Sequence, residues 1–407
     1  MTKSDDKRVP ALRFKGFTDE WEQRKLKDIT QRVEGNNGNM NLPVLTISAK
    51  QGWMTQSNRF SSIIAGAEKK KYTLLKKGNL SYNHGNSKIA PFGTVFMLKT
   101  YSEALVPKVY HSFKAKKDIN PYFLEVYFQT RKMDPQLRKY ISSSARMDGL
   151  LNITYSWFEQ VRLFLPNIEE QNKLEKLFDI LNKHIELQQR KENQIKLLKK
   201  AMLQTLFTNK NVPQLRFKGF TDNWEQRKLN SFLVEYKKKT KINNQYPVLT
   251  SSRQGIFFQK DYYDGNQIAS KNNIGYNIVP RNYFTYRHMS DDTIFHFNIN
   301  TLCDYGIVST LYPVFTTSNQ LSSSWLYYYL NYGNDMKKYA LLQKQGGSRT
   351  YMYFSKLKNM LGHIPNVKEQ DSISKILLKT DNLITLQQNK TKKIENLKQF
   401  LLQNMFI

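Results

Sequence analysis

The run VPALRFKGFTDEWEQRKL, Val9 to Leu26, returns as VPQLRFKGFTDNWEQRKL, Val212 to Leu229, with two of its eighteen positions changed. Such a likeness between distant stretches of one chain is an internal repeat, and a repeat sets the organisation before any local propensity does. Beyond this anchor the copies diverge but keep a skeleton. PVLTISAKQG (Pro43 to Gly52) returns one residue shorter as PVLTSSRQG (Pro247 to Gly255), and YTLLKKGNLSYN (Tyr72 to Asn83) returns as YNIVPRNYFTYR (Tyr276 to Arg287). Each copy closes on the same border, LPNIEEQ (Leu165 to Gln171) and IPNVKEQ (Ile364 to Gln370). Fixed ends with free interiors are what two related readers of different targets require.

Within each copy, residues 27–164 and 230–363 alternate short aromatic or β-branched runs with Gly, Asn, Asp and Ser, which reads as strands and loops. Thr94 to Leu98 and Asn282 to Tyr286 are typical strand candidates, and Pro121 to Thr130 and Ser322 to Asn331 read as short amphipathic helices. The expected fold class is α/β, with two similar modules.

From Pro166 to Phe207 and from Pro365 to Phe406 glycine is absent and proline occurs only at the start, where a helix accepts it. Heptads follow. Leu174, Leu181, Gln188, Ile195 and Met202 take one seam position, with Leu177, His184, Lys191, Leu198 and Thr205 expected at the second. The other helix gives Ile373, Thr380, Gln387, Ile394 and Leu401, with Ile376, Leu383, Lys390, Leu397 and Asn404. An antiparallel coiled coil is expected, in which Gln188 and Gln387 at the two midpoints either face each other and fix the register or stand exposed where the helices splay. The expected division is 1–164, 165–208, 209–363 and 364–407: module, helix, module, helix.

The formal charge of +30 and a pI near 9.8 call for a polyanionic partner. The charge is not spread evenly. Residues 1–165 carry 28 basic against 14 acidic side chains and residues 212–363 carry 19 against 9, while 166–207 carry 8 against 6 and 364–407 carry 7 against 4. The basic surface therefore belongs to the modules. No apolar run reaches the length of a membrane span, and the lone Cys303 excludes an intrachain disulfide or a thiolate zinc cluster, which fits a cytoplasmic protein.

Loops at matching points of the repeat are the candidate nucleic-acid contacts. Lys50-Gln51-Gly52 matches Arg253-Gln254-Gly255, a cation and an amide before a glycine that admits close backbone approach. Arg or Lys can grip guanine and Gln can grip adenine in the major groove. Asn83 and Arg287 follow matched tyrosines, with Lys88 close to the first, and Arg146 and Arg349, the latter beside Tyr351, sit in small-residue loops before the closing border. Phosphate contact or plain solvation are the competing readings of these loops. The repeated Trp21, Trp224, Phe14 and Phe217 read as core. The signatures of an RNA-recognition motif, a nucleotide-binding phosphate loop and the N/D-P-P-Y/F motif of an amino-methyltransferase are absent, and the six histidines lack metal-ligand spacing. A stand-alone DNA-binding protein, nuclease or methyltransferase and a coil lying on a membrane surface are the competing classes.

The duplicated RFKGFTD-x-WEQRKL opening, the P-N-x-x-E-Q border and the long helix after each variable region resemble the HsdS specificity subunits of type I restriction-modification systems, over essentially the whole chain. The resemblance implies two target-recognition domains, each reading one half of a bipartite site in double-stranded DNA, with the helix pair setting the gap. It implies a non-catalytic chain that binds no cofactor and no metal. Two methyltransferase (M) subunits and two restriction/motor (R) subunits would be its partners, and S-adenosylmethionine, ATP and Mg²⁺ would sit on those subunits, directing adenine methylation and restriction.

Overall fold

Asn167 and Asn366 start the two long helices. In the computed structural model, which describes residues 8–60, 66–85, 87–141, 150–207, 210–265, 272–344 and 349–407, the Oδ1 of each asparagine accepts the backbone N–H three residues on, from Glu170 and Glu369, both at 3.0 Å. That satisfies one of the N–H groups a helix start leaves orphaned. The helices run Ile168–Leu206 and Val367–Asn404.

The rest of the repeated border works locally too. Gln171 donates to the Pro166 carbonyl at 2.9 Å and accepts the Asn120 N–H at 2.9 Å, just where the helix Pro121–Gln129 begins. Gln370 does the same with the Pro365 carbonyl at 2.8 Å and the Ser322 N–H at 2.7 Å, ahead of the helix Ser323–Tyr332. Glu170 and Glu369, both 1% exposed, receive Arg13 and Arg216 from the repeated opening. The border and the opening recur together because each holds the other in place.

The chain divides into two compact units, Met1–Gln189 with Asn389–Ile407, and Arg190–Gln388, so each long helix contributes to both. The first unit holds a four-stranded antiparallel sheet in the order Thr30–Arg32, His111–Ala115, Leu80–Asn83, Thr94–Met97. Paired strands Leu45–Ser48 with Gly52–Thr55, Thr73–Lys76 with Glu103–Val106, and Glu22–Lys25 with Arg162–Leu165 accompany it. The second unit repeats the arrangement: Leu233–Glu235, Val314–Thr317, Phe284–Tyr286, Phe297–Ile299 form its sheet. The pairs Leu249–Ser252 with Gly255–Phe258, Asn277–Pro280 with Tyr305–Val308, and Glu225–Lys228 with Leu361–Ile364 lie alongside. The strand expected from Asn282 begins only at Phe284, because Asn282 takes a turn conformation with φ 66°.

Trp21 and Trp224, each 1% exposed, are core residues, as expected from their recurrence. Trp21 meets Phe123 and Phe406 edge-on at 6.1 and 6.0 Å, and Trp224 meets Trp325 at 6.3 Å.

Within each unit the two helices run antiparallel. In the first, Phe178 packs on Phe406 and Gln189 reaches Glu395. In the second, Lys199 pairs with Asp381 at 2.5 Å and Gln388 donates to Glu192 at 3.0 Å. The first set of heptad positions does face inward. The second is divided: Leu177 and Ile376 are half-buried against the cores, but Leu198, Leu383 and Leu397 are 57%, 52% and 49% exposed, and His184, Lys191 and Lys390 are exposed too. Phe178, Leu206, Leu377 and Met405, one position beyond the half-buried Leu177, Thr205, Ile376 and Asn404, are buried. A heptad fixes the repeat but leaves open whether the +3 or the +4 neighbour turns inward, and towards the ends of these helices it is the +4 residue that is buried. Gln387 is buried and Gln188 half-buried on these seams.

Candidate nucleic-acid interface

In the second unit the interface begins at a hairpin turn. Strands Leu249–Ser252 and Gly255–Phe258 are joined by Arg253 and Gln254, both exposed, and Gly255 completes the turn at φ 131°, which a side chain would resist. The Arg253 terminal nitrogens Nη1 and Nη2 donate to Asp292 at 2.6 and 2.5 Å. Asp292 is itself fixed, accepting Ser290 Oγ at 2.8 Å and the Ile294 N–H at 3.1 Å. Arg253 first, then Ser290, hold its carboxyl well below the usual carboxylate range.

Arg287 extends from the end of the central strand Phe284–Tyr286 and is exposed, while its neighbour His288 is buried with its ring against the Leu311 carbonyl. Arg349 donates through Nε to Asp291 at 3.1 Å. Tyr351, on the short strand Thr350–Tyr351 that pairs with Met289–Ser290, is 37% exposed and stacks on Tyr353 at 5.8 Å. A cleft of about 660 Å³ gathers Arg253, Gln254, Arg287 and Asp291 with Tyr262 and Tyr312. All five candidates of this copy therefore stand on or beside one cleft rich in donors and aromatic rings.

The first unit has the same frame with other residues. Lys50 and Gln51 are exposed in the turn between Leu45–Ser48 and Gly52–Thr55. Gly52 sits at φ 72°, and a Cβ there would stand 3.2 Å from the Phe96 ring. Asn83, a further candidate of this copy, is half-buried. Its Nδ2 donates to the Ile47 carbonyl and its Oδ1 accepts the Gly85 N–H, both at 3.1 Å, so it braces the hairpin. Arg59, not singled out by the sequence, also donates to the Ile47 carbonyl, at 2.5 Å. Lys88 is exposed, and among the described residues neither it nor Lys50 has an ion-pair partner. Arg146 lies outside the described residues.

Behind this surface His111 and His84 stack at 4.9 Å, and burial pushes His111 down to about 4. The acids at 291 and 292 were not legible as site residues. The signal available was only that copy two carries Asp291-Asp292 where copy one, counted from the matched histidines, carries Ser87-Lys88.

No group of three or more potential metal ligands occurs among the described residues, and no described helix is long and apolar enough to cross a membrane. Residues 18–197 match the family described as type I restriction modification DNA specificity domain. The type I restriction-modification S subunit from M. genitalium has a similar fold, with a TM-score of 0.58 at 9% identity, covering 98% of this chain and 99% of that one. The HsdS subunit from Thermoanaerobacter tengcongensis aligns at a TM-score of 0.43 and 14% identity, over 95% and 96% of the two chains. The family match spans the first unit and its helix, and the second unit repeats the same opening, sheet order and border. Residues 18–197 are thus similar to the DNA specificity domain of type I restriction-modification systems, and residues 212–370 repeat the frame of that domain within the same chain.

Proposed function

We propose that each unit reads one half of a bipartite site in double-stranded DNA, that the two long helices set the unspecified gap, and that the chain docks two M subunits which methylate adenine and two R subunits which restrict. The observation that carries this is a duplicated frame bearing two different sets of exposed polar side chains at matching points. Arg253, Gln254, Arg287, Arg349 and Tyr351 stand in one copy, and Lys50, Gln51 and Lys88 in the other.

The target-recognition domains would span residues 1–164 and 209–363, and the spacer helices 165–208 and 364–407. A helix of 39 residues is about 58 Å long, since each residue rises about 1.5 Å. That length suits half-sites about one turn of duplex apart or somewhat more. Gln188 and Gln387 would hold the helices in register, since a slipped buried amide leaves its hydrogen-bonding groups unsatisfied. Exposed leucines on the helices, Leu187 and Leu397 in the first unit and Leu198, Leu383 and Leu386 in the second, offer apolar surface for the M subunits. S-adenosylmethionine, ATP and Mg²⁺ would be held by the partners, in the cytoplasm where the DNA lies.

Adenine-methylation mapping of the host genome with and without the gene for this chain tests the reading. A single two-part motif should disappear on deletion. Retention of every methylated motif in an active system would overturn it.

A further inference from the structure

The two aspartates beside the cleft of the second unit are out of place in a basic DNA-binding surface. Stability does not explain them: in the pairs Arg253–Asp292 and Arg349–Asp291 every side chain is between 44% and 67% exposed, and exposed pairs contribute little to folding.

Geometry does. Asp292 takes Nη1 and Nη2 of Arg253, which leaves the Nε edge of that guanidinium directed elsewhere. Asp291 takes Nε of Arg349, which leaves both terminal nitrogens without a partner among the described residues. In each case one edge is anchored and another two-donor edge remains. A guanidinium anchored in this way has given up its rotamer freedom before DNA arrives, and its remaining edge matches the O6 and N7 acceptors of guanine. The adjacent carboxylate repels phosphate, which turns the arginine away from the backbone and towards base edges. It can also accept the amino group of the cytosine paired to that guanine.

The first unit supplies the contrast. His84 and His288 occupy equivalent places, their carbonyls accepting Leu151 N–H at 2.8 Å and Met352 N–H at 2.7 Å. Four residues beyond each stands Lys88 in one copy and Asp292 in the other, while Lys50 answers Arg253. Where one unit carries a neutralised, oriented pair, the other carries two ammonium groups suited as point charges to phosphate.

We infer that Asp292 and Asp291 are positioning residues that aim Arg253 and Arg349 at guanine, so that the half-site read by the second unit contains a G·C pair whose selection depends on Asp292. The inference rests on the reading of that unit as a DNA reader.

The test maps methylated sites in cells carrying the assembled methyltransferase with Asp292→Asn or Arg253→Lys, beside a chimera in which residues 230–363 come from a related subunit. Both point variants should raise methylation about tenfold at sites where one guanine of that half is replaced, within what a bidentate arginine contributes to discrimination. The other half and the gap should be untouched. A point variant that methylates nothing but melts as wild type is read by binding to single-position substitutes of the cognate duplex. Loss of discrimination at one position supports the inference, and uniform weakening overturns it. A half-site without G·C, or unchanged base preference in both variants, overturns it as well. If the chimera meanwhile changes one half, the reading of the unit stands without the inference; if the chimera changes neither half, both fall.

Discussion

Arg13 and Glu170, 157 residues apart in the chain, meet in two parallel hydrogen bonds, Nε to Oε1 and Nη2 to Oε2, each 2.8 Å. Arg216 and Glu369 repeat the pair across 153 residues with the same atoms and the same distances. Glu170 is almost wholly buried, so removing its partner strands a charge. Arg13→Ala should cost roughly 3 kcal/mol, the scale of a broken buried ion pair. Replacing both Arg13 and Glu170 by apolar residues of similar volume should cost less than Arg13→Ala alone. Urea unfolding of the purified chain measures both, and a loss below about 1 kcal/mol for the single variant would contradict a structural role for the pair.

His111 gives the first unit a pH dependence. Burial pushes its ring down to about 4, while the unfolded chain titrates near the ordinary value of 6.5. Between those values the unfolded state binds the extra proton, so this contribution to stability is complete above about pH 6.5 and is lost as the pH falls towards 4. The Nε2 of His111 is bonded to the Ile153 carbonyl at 2.8 Å. His111→Gln keeps a donor there and should flatten the fall in melting temperature from about pH 6.5 to about pH 5. An unchanged slope would assign the dependence to other groups.

Lys50 and Lys88 should act through charge. Each changed to Ala should weaken duplex binding almost equally for all sequences and lower the salt slope by about one for every phosphate no longer neutralised. Titrations at several salt concentrations decide this. A change confined to one base position would instead make these lysines base readers.

The frame was legible in the sequence because repetition marks what both copies must keep: the helix starts at Asn167 and Asn366, the buried tryptophans, the matched hairpins. The inner face of the helices was not, since Leu198 and Leu383 satisfy the same seven-residue period as the side chains that are buried. Nor was the inward turn of Asn83, which depends on where the Ile47 carbonyl lies in space. Asp291 and Asp292 entered the sequence reading only as a reduction of net charge. Which acid faces which base is fixed by how the strand Met289–Ser290 and the hairpin turn at Arg253 come together, and no local pattern encodes it.

The helices as spacer make a further prediction. Duplicating Glu175 to Phe178 together with the matching Ser374 to Leu377 lengthens both helices by about 6 Å and rotates the downstream end of each by about 40°. At about 3.4 Å per base pair, that extends the gap by about two base pairs. A single duplication leaves one helix short against its partner and should impair assembly. Motif mapping of the matched variant should show the wider gap with both half-sites intact; the original gap in an active variant would mean that the helices do not set it.

The division of labour between the two units is tested most directly by replacing residues 27–164 with those of a related subunit and sequencing the methylome of cells that carry the chimera. One half of the two-part motif should change while the other half and the gap stay as they were. A change in both halves, or in neither while methylation persists, would contradict the account.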